Sequence, residues 1–262
     1  MKRTPINIDP ALFPAEFREL LQDANIYDSS CSPEAKVYYI SKDKGYFLKV
    51  NAKGALEREA LMDQYFDYKG IGVSVLSYCS FDRDYLLTER VIGEDLTHPD
   101  YLSDGKWLAE NMGLILRRLH ETRANDCPIK DRVSEYIALA ESNYMNGTYD
   151  KTALIEDSFG YKSAAEAYAV LEENKKILKS DTLIHGDFCL PNIIMNDKSF
   201  SGYIDLGNAG IGDRHIDLFW GAWTLYFNLK TDKYTDRFFD SYGRDLVDPI
   251  AIRTVAAAEV FG

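Results

Sequence analysis

The sequence predicts an α+β protein of two parts: a small antiparallel sheet with one helix, followed by a larger part that is mostly helical. The first third of the chain has short β-type runs in the order strand, strand, helix, strand, strand, and helical patterns dominate the rest. The composition changes at Ile92-Gly93, where a polar connector begins. We therefore expect two domains, residues 1–92 and 93–262.

The first part is expected to hold four strands and two helices. The four strands are Val37–Ile40, Tyr46–Val50, Val73–Tyr78 and Tyr85–Glu89. The turn SKDKG between the first two is typical of a hairpin. Leu56–Tyr68 has good helix formers, lacks a breaker and ends before Gly70, so it predicts a helix. A shorter amphipathic helix is expected at Glu16–Ala24, after Pro14.

The second part is expected to be helical, apart from a few short strands. Apolar residues at helical spacing predict the helices Lys106–Glu121, Arg132–Asn143 and Ser163–Leu178. Three strand-like runs follow, Thr182–Ile184, Ile193–Met195 and Gly202–Leu206. The tail from Asp217 onward is rich in aromatic residues and helical in character.

Charge and composition exclude several classes of partner. The 262 residues include 42 acidic and 30 basic ones, a net charge of −12. Nucleic acids and anionic membranes select basic surfaces, so neither is expected as a partner, whereas a cationic ligand is favoured. Four cysteines without a CxxC pair fit a reducing cytoplasm. We find neither a signal peptide nor an apolar run long enough to cross a membrane.

Common catalytic motifs are absent from the sequence. There is no Walker motif, no HExxH and no GxSxG. The glycine-rich stretch Gly207–Gly212 has the spacing GxxGxG rather than the dinucleotide pattern GxGxxG. The four histidines do not show the spacing of metal ligands.

One constellation of polar residues indicates phosphoryl transfer. Asp187 stands in His-Gly-Asp after an apolar run, Asn192 follows five residues later, and Asp205 comes after two strand-like segments joined by a turn. A carboxylate can accept the proton of a hydroxyl nucleophile, and Asn and Asp oxygens are ligands that Mg²⁺ prefers. A hairpin between the base, Asp187, and the second metal ligand, Asp205, would fold the two to the same end of the sheet. The pattern predicts a kinase-type site with Asp187 as base.

A lysine and a glutamate in the first part fit the same chemistry. Lys49 lies in the apolar strand run FLKV, and Glu59 follows ten residues later on the predicted helix. A lysine there can reach nucleotide phosphates, and a glutamate on the facing helix can hold it in place. Glu57 is the rival partner, but it lies on a different side of the helix.

These residues together make the chain resemble the aminoglycoside phosphotransferases, and within them most closely the 3′-phosphotransferases (kanamycin kinases). The segments that carry the resemblance are SPEAKVYYI, FLKV, EREALMDQYF, YLLTERVIGEDL, LRRLHETRANDCP, LIHGDFCLPNIIM, SGYIDLGNAGIGDRHIDL and EVFG. The resemblance implies a protein-kinase-like fold with an N-terminal nucleotide-binding lobe and a C-terminal lobe for catalysis and substrate. It also implies ATP or GTP with Mg²⁺, antibiotic resistance, and a monomer or weak homodimer.

The resemblance also implies a role for each site residue. Asp187 would be the base, Asn192 and Asp205 would hold magnesium, Lys49 would hold the phosphates, and Glu59 would hold Lys49. Ser32 would lie in the phosphate loop, and the Glu89 carbonyl and Val91 amide would bind the adenine. The acidic residues that would bind the cationic drug are Glu156, Asp157 and Glu259.

Two other functions stay open. A kinase of the same fold could act on another small amine alcohol, choline-like or a peptide antibiotic, and the aromatic tail fits an aromatic cage for a quaternary amine. A non-catalytic protein that binds nucleotide or drug is the other alternative. His120 and His185 are expected to be structural, and Asp213 and Asp217 are expected to bond to backbone near the catalytic loop.

Overall fold

The computed structural model describes residues 3–31, 35–155 and 159–262. The chain divides into two compact units, each described in turn below. The first contains the residues up to Asp95 together with Pro191–Gly207, and the second contains Leu96–Leu190 together with Asn208–Gly262. The assignment of nucleotide and substrate binding to residues 1–92 and 93–262 stays a prediction.

Eleven strands lie within the described ranges. They are β1 (Thr4–Ile6), β2 (Asn25–Asp28), β3 (Lys36–Ser41), β4 (Tyr46–Ala52), β5 (Val75–Ser80), β6 (Arg83–Glu89), β7 (Glu94–Asp95), β8 (Thr182–Ile184), β9 (Ile193–Asn196), β10 (Ser199–Tyr203) and β11 (Gly210–Gly212). All their pairings are antiparallel.

The α-helices of the described ranges number ten. They are α1 (Ala15–Leu21), α2 (Glu57–Tyr68), α3 (Pro99–Leu102), α4 (Gly105–His120), α5 (Arg132–Asn146), α6 (Thr152–Ile155), α7 (Ala164–Asn174), α8 (Arg214–Leu229), α9 (Thr235–Tyr242) and α10 (Pro249–Glu259). The architecture is α+β, as the sequence predicts.

The first unit is built on a six-stranded sheet in the order β1-β2-β3-β4-β6-β5. Because side chains alternate along a strand, Leu48 and Val50 of β4 point to one face and Lys49 points to the other. Leu48 and Val50 share an apolar core with Phe17 and Leu21 of α1. The opposite face is covered by α2. The alternation in FLKV therefore directs the lysine toward a helix rather than into the apolar core.

A three-stranded sheet in the order β10-β9-β7 completes the first unit. Strands β9 and β10 form a hairpin whose turn residues, Asp197 and Lys198, have φ of 47° and 62°. This is the left-handed conformation that tight hairpin turns need. The Ile204 amide donates to the Asn192 carbonyl over 3.1 Å, so the residues just before β9 and just after β10 lie side by side.

The second unit is mostly helical and has its own apolar core. In α4 the buried residues Leu108, Met112, Ile115 and Leu119 recur every three to four positions, which gives the helix one apolar face. Helices α5, α7, α8 and α10 contribute to a second cluster around Phe261, which is fully buried. Strand β8, which pairs with β11, ends directly before the His-Gly-Asp segment.

Most predicted elements are present, with differences at particular strands. The sequence analysis did not anticipate β1, β2, β7 and β11, which are two to four residues long. The prediction of a strand at Gly202–Leu206 is wrong in its bounds, because β10 covers Ser199–Tyr203. Asp205 has a φ of 62°, which ends extended structure before that residue. None of the helices in the described ranges is both long and apolar enough to cross a membrane.

Candidate active site

Lys49 lies at the centre of an ion-pair cluster in the first unit. Its Nζ is 2.8 Å and 2.7 Å from the two carboxylate oxygens of Glu59, and 2.9 Å from Oδ1 of Asp205. Glu59 is buried on α2, whereas the rival Glu57 is exposed. The structure therefore brings together three of the predicted site residues, from β4, α2 and the segment after β10.

The electrostatics of this cluster keep the lysine charged. Burial alone lowers the pKa of Lys49, but the Asp205 and Glu59 carboxylates outweigh it and raise that pKa above its ordinary value. Burial raises the pKa of Glu59, and the nearby ammonium opposes that rise. Lys49 therefore presents a fixed positive charge, with its position set by two carboxylates.

Asn192 and Asp205 lie at the same end of the β9–β10 hairpin. Asn192 is buried, with 7% of its surface exposed, and the Asp205 side chain is 52% exposed. Amide and carboxylate oxygens are the donors that Mg²⁺ prefers, and Mg²⁺ usually keeps several waters, so few protein ligands suffice. The residues present therefore fit a magnesium ion. Among the described residues there is no group of three His, Cys, Asp or Glu side chains that could hold a metal on their own.

The strand that carries Lys49 also carries an aromatic ring that the sequence analysis did not single out. Phe47 precedes Lys49 by two residues, so both point to the same face of the sheet. Its ring lies 5.1 Å from that of Tyr39, and in register it pairs with Thr88, next to Glu89 at the end of β6. The ring of Phe47 therefore lies across from the residue before Glu89, whose carbonyl is predicted to bind the adenine. The alternation of side chains along FLKV could have indicated this ring.

The structure describes some of the other predicted nucleotide and drug contacts, and the rest lie outside the described residues. Glu89 is the last residue of β6, and its carboxylate pairs with Lys44. Val91 follows two residues later. Ser32, Glu156 and Asp157 lie outside the described residues, so their predicted contacts to phosphate and drug stay predictions.

In the second unit, the loop that carries Asp187 is fixed by Asp217. This carboxylate, fully buried on α8, accepts the amides of His185 and Gly186, both over 2.7 Å. Gly186 has a φ of 82°, and a Cβ there would lie 2.1 Å from the Asn208 carbonyl oxygen. Only glycine fits this approach. Asp187 is the next residue. It is partly exposed, and its amide lies 3.3 Å from His185 Nδ1.

His120 and His185 have buried, hydrogen-bonded side chains, and Asp213 and Asp217 accept backbone amides, as expected. His120 bonds through Nε2 to Asp217 over 3.1 Å and through Nδ1 to the Tyr242 hydroxyl over 2.8 Å. Burial lowers the pKa of His120, which favours the neutral ring. Asp213 begins α8 by accepting the His215 amide and also accepts the Lys179 amide over 2.7 Å.

Glu259 is the predicted drug contact that the structure describes in full. Its Oε1 accepts the Tyr136 hydroxyl over 2.8 Å and the Trp220 indole N–H over 3.0 Å. Burial raises the pKa of Glu259 to about 7; the two hydrogen bonds oppose the rise, and the Asp187 charge adds to it. Glu259 is thus a carboxylate within electrostatic reach of the predicted base.

Comparisons with known proteins identify the family. A family model described as "Phosphotransferase enzyme family" matches residues 33–253. A probable aminoglycoside 3′-phosphotransferase of Lactococcus lactis subsp. lactis (strain IL1403) is 46% identical over 100% of this chain and 99% of its own length. An aminoglycoside 3′-phosphotransferase of Escherichia coli is 31% identical over 64% of this chain and 61% of its own.

Solved structures support the same fold. The crystal structure of an aminoglycoside-3′-phosphotransferase of type VIII gives a TM-score of 0.75 at 22% identity, over 99% of this chain and 94% of that one. An aminoglycoside phosphotransferase from Streptomyces rimosus, solved with ADP and streptomycin, gives 0.72 at 22% identity, over 86% and 90%. With a matched family model over most of its length and a relative aligned from end to end, this chain belongs to the aminoglycoside phosphotransferase family of enzymes.

Proposed function

We propose that this enzyme transfers the γ-phosphoryl group of ATP or GTP to a hydroxyl of an aminoglycoside, the 3′ hydroxyl, and so confers resistance. The observation that carries the proposal is the Lys49–Glu59–Asp205 cluster, encoded in the same chain as the Asp187 loop clamped by Asp217. The name of the Lactococcus lactis relative supports the choice of substrate.

On the nucleotide side, Lys49 would bind the phosphates through its ammonium. Glu59 fixes the lysine from one side, so little freedom is lost when the phosphates arrive. Phe47, which pairs in register with Thr88, offers an aromatic ring for the nucleobase, and the Glu89 carbonyl and Val91 amide would bind its edge. Asn192 and Asp205 would hold magnesium, which neutralises phosphate charge when it is bound.

On the acceptor side, Asp187 would orient the substrate hydroxyl and take its proton. The hydroxyl oxygen forms a bond to the γ-phosphorus, and the bond between that phosphorus and the β–γ bridging oxygen breaks. The proton passes to the Asp187 carboxylate, and the nucleoside diphosphate leaves. The two amides held by Asp217 keep the loop in one conformation during this step.

A second function, phosphorylation of a small amine alcohol such as choline, is favoured by one observation. Trp220 of α8 donates its indole N–H to Glu259, and Trp223 and Phe227 continue the row of aromatic rings along the same helix. Aromatic faces around a carboxylate are a means of binding a quaternary amine.

A substrate panel distinguishes the two functions. Purified enzyme with ATP or GTP and Mg²⁺ is offered kanamycin, neomycin, streptomycin and choline, and nucleoside diphosphate release is coupled to a spectroscopic readout. We expect turnover with kanamycin and neomycin, and a product in which mass spectrometry and ³¹P NMR place one phosphate at the 3′ position. Turnover with choline alone would replace the proposal with the second function. An absence of turnover with all four substrates would favour a non-catalytic binding protein.

A further inference from the structure

Helix α8 carries three aromatic side chains on one face, Trp220, Trp223 and Phe227, which we call the aromatic stripe. Their spacing of three and four residues places them above one another along the helix. The Trp220 and Trp223 ring centroids are 5.3 Å apart with planes at 83°. Those of Trp223 and Phe227 are 4.9 Å apart with planes at 12°, a stacked pair. The stripe is thus a continuous column of rings. Phe159 packs against Trp220 and Trp223, so Phe227 is the ring most open to a ligand.

The inner end of the aromatic stripe adjoins the acidic part of the second unit. The Trp220 indole N–H donates to Glu259, and Glu259 lies within electrostatic reach of Asp187. At 1.5 Å per residue, Phe227 lies about 10 Å further along the helix axis than Trp220. The column therefore leads away from Glu259 along the helix, over a length comparable to that of two linked sugar rings.

The outer end of the aromatic stripe already holds an ammonium group. Phe227 is 50% exposed, and the Nζ of Lys230 lies 4.2 Å from the centroid of its ring. A cation over a ring face is attracted by the ring quadrupole. Because Lys230 is exposed, its ammonium can return to water at small cost when another cation replaces it.

We propose that the aromatic stripe binds an amine-bearing ring of the substrate, and that Lys230 occupies the place on Phe227 that a substrate ammonium takes. This inference rests on the proposed function and adds a specificity determinant to it. The carboxylates at the inner end would bind one amine of the same molecule, and the stripe would bind another.

The geometry favours an extended polycation over a single quaternary amine as the occupant. An aromatic cage needs ring faces that converge on one point, whereas Trp223 and Phe227 stack on each other. The chain's net charge of −12 attracts a ligand with several ammonium groups. A substrate with linked amine-bearing rings uses both ends of the column, and a choline-like molecule reaches only one.

The test compares three single substitutions on α8 and the residue after it. Phe227→Leu removes the ring and is expected to raise the kanamycin KM about three- to tenfold, the scale of a cation–π contact. Lys230→Gln removes the competing ammonium and is expected to lower that KM. Tyr226→Leu is the matched control: the residue is 56% exposed but points about 100° away, so the KM should not change.

A binding measurement makes the test independent of turnover. The chain has three tryptophans, so in a Trp107→Phe background the fluorescence comes from Trp220 and Trp223 alone. Titration with kanamycin should change this fluorescence, with the same order of affinities among the three variants, whereas choline should change it little.

Two results would overturn the inference. Either Phe227→Leu behaves as Tyr226→Leu does, or Lys230→Gln weakens kanamycin binding. Failure of the proposed function looks different, because the wild type would then phosphorylate no aminoglycoside. In that case the fluorescence titration still decides whether the aromatic stripe binds kanamycin, and a response to choline alone would contradict the inference.

Discussion

At the scale of single residues, Asp63 is a buried acid with an unsatisfied atom. It lies one turn after Glu59 on α2, is 2% exposed, and its Oδ1 has no hydrogen-bond partner. Burial, together with the Glu59 charge, raises the pKa of Asp63 well above its ordinary value. The side chain therefore destabilises the fold, and more so when it is ionised.

Replacing Asp63 by leucine should stabilise the protein. An apolar side chain of similar shape removes a desolvation cost of about 1–3 kcal/mol. Because the folded-state pKa is raised, wild-type stability falls as the pH rises above the unfolded value of about 4, so the gain should be larger at pH 8 than at pH 5. Urea unfolding at the two pH values measures it. Asp67→Leu, exposed one turn later, is the control and should show no such gain.

Glu259 gives a second prediction for pH dependence. Its pKa in the folded protein is about 7, against an ordinary value of 4.5. The folded state therefore keeps a proton that the unfolded state has lost, and wild-type stability declines as the pH rises from about 4.5 to 7. Glu259→Gln should remove this decline and be more stable than wild type at pH 8. Thermal unfolding across the pH range measures the difference.

The same carboxylate should govern substrate binding. Only ionised Glu259 attracts a cation, so the wild-type KM for kanamycin should rise below pH 7, and the KM for nucleotide should not. In Glu259→Gln the kanamycin KM should be higher and flat between pH 6 and 8. An unchanged pH profile in that variant would place the drug contact elsewhere.

At the scale of elements, helix α8 positions the catalytic loop through Asp217. One buried carboxylate accepts two loop amides and also contacts His120. Asparagine has one acceptor oxygen in place of two, so Asp217→Asn leaves at least one buried amide unpaired. We expect a loss of about 2–4 kcal/mol in stability and at least a tenfold fall in kcat, with the nucleotide KM unchanged.

A variant at the N-terminal cap of α10 is the control that distinguishes a loss of stability from a loss of loop positioning. Asp248 begins α10 by accepting the Ile250 amide over 2.8 Å, and it is exposed. Asp248→Ala should cost about 1 kcal/mol of stability and leave kcat unchanged. If Asp217→Asn, like Asp248→Ala, loses stability but keeps the wild-type kcat, then Asp217 has only a structural role.

The helices and strands also show how much of the fold can be predicted from the sequence. The Lys49–Glu59 contact could be predicted from the sequence. The alternation of β4 places Lys49 on the face opposite Leu48 and Val50, and Glu59 follows ten residues later on the predicted helix. Strand β2 was missed because Asn25–Asp28 has two polar ends and pairs with β3 only through tertiary structure. Asp63 and the Trp220–Glu259 bond were also missed, because burial and a contact between α8 and α10 leave no local signal.

At the scale of the whole molecule, the charge of −12 should steer a polycationic substrate toward the protein. Salt screens exposed charges over about 8 to 10 Å at physiological ionic strength. We expect kcat/KM for kanamycin to fall as salt rises, and the nucleotide KM to change much less.

Neutralising the two predicted acidic drug contacts tests where this attraction acts. In the double variant Glu156→Gln/Asp157→Asn, kcat/KM should depend less on salt, because the two carboxylates that would bind the drug have been removed. The control is the double variant Glu172→Gln/Glu173→Gln. It removes the same charge from two exposed residues of α7. Equal flattening in both variants would mean that net charge, not a local contact, attracts the drug.

The central claim, that Asp187 accepts the proton of the substrate hydroxyl in phosphoryl transfer, is tested most directly by kcat for kanamycin in Asp187→Asn, alongside nucleotide affinity measured by calorimetry. The account predicts that kcat falls by at least about 10²-fold, while nucleotide affinity and unfolding temperature stay close to those of the wild type. A variant that retains wild-type kcat would contradict the assignment of the base and, with it, the mechanism proposed for this enzyme.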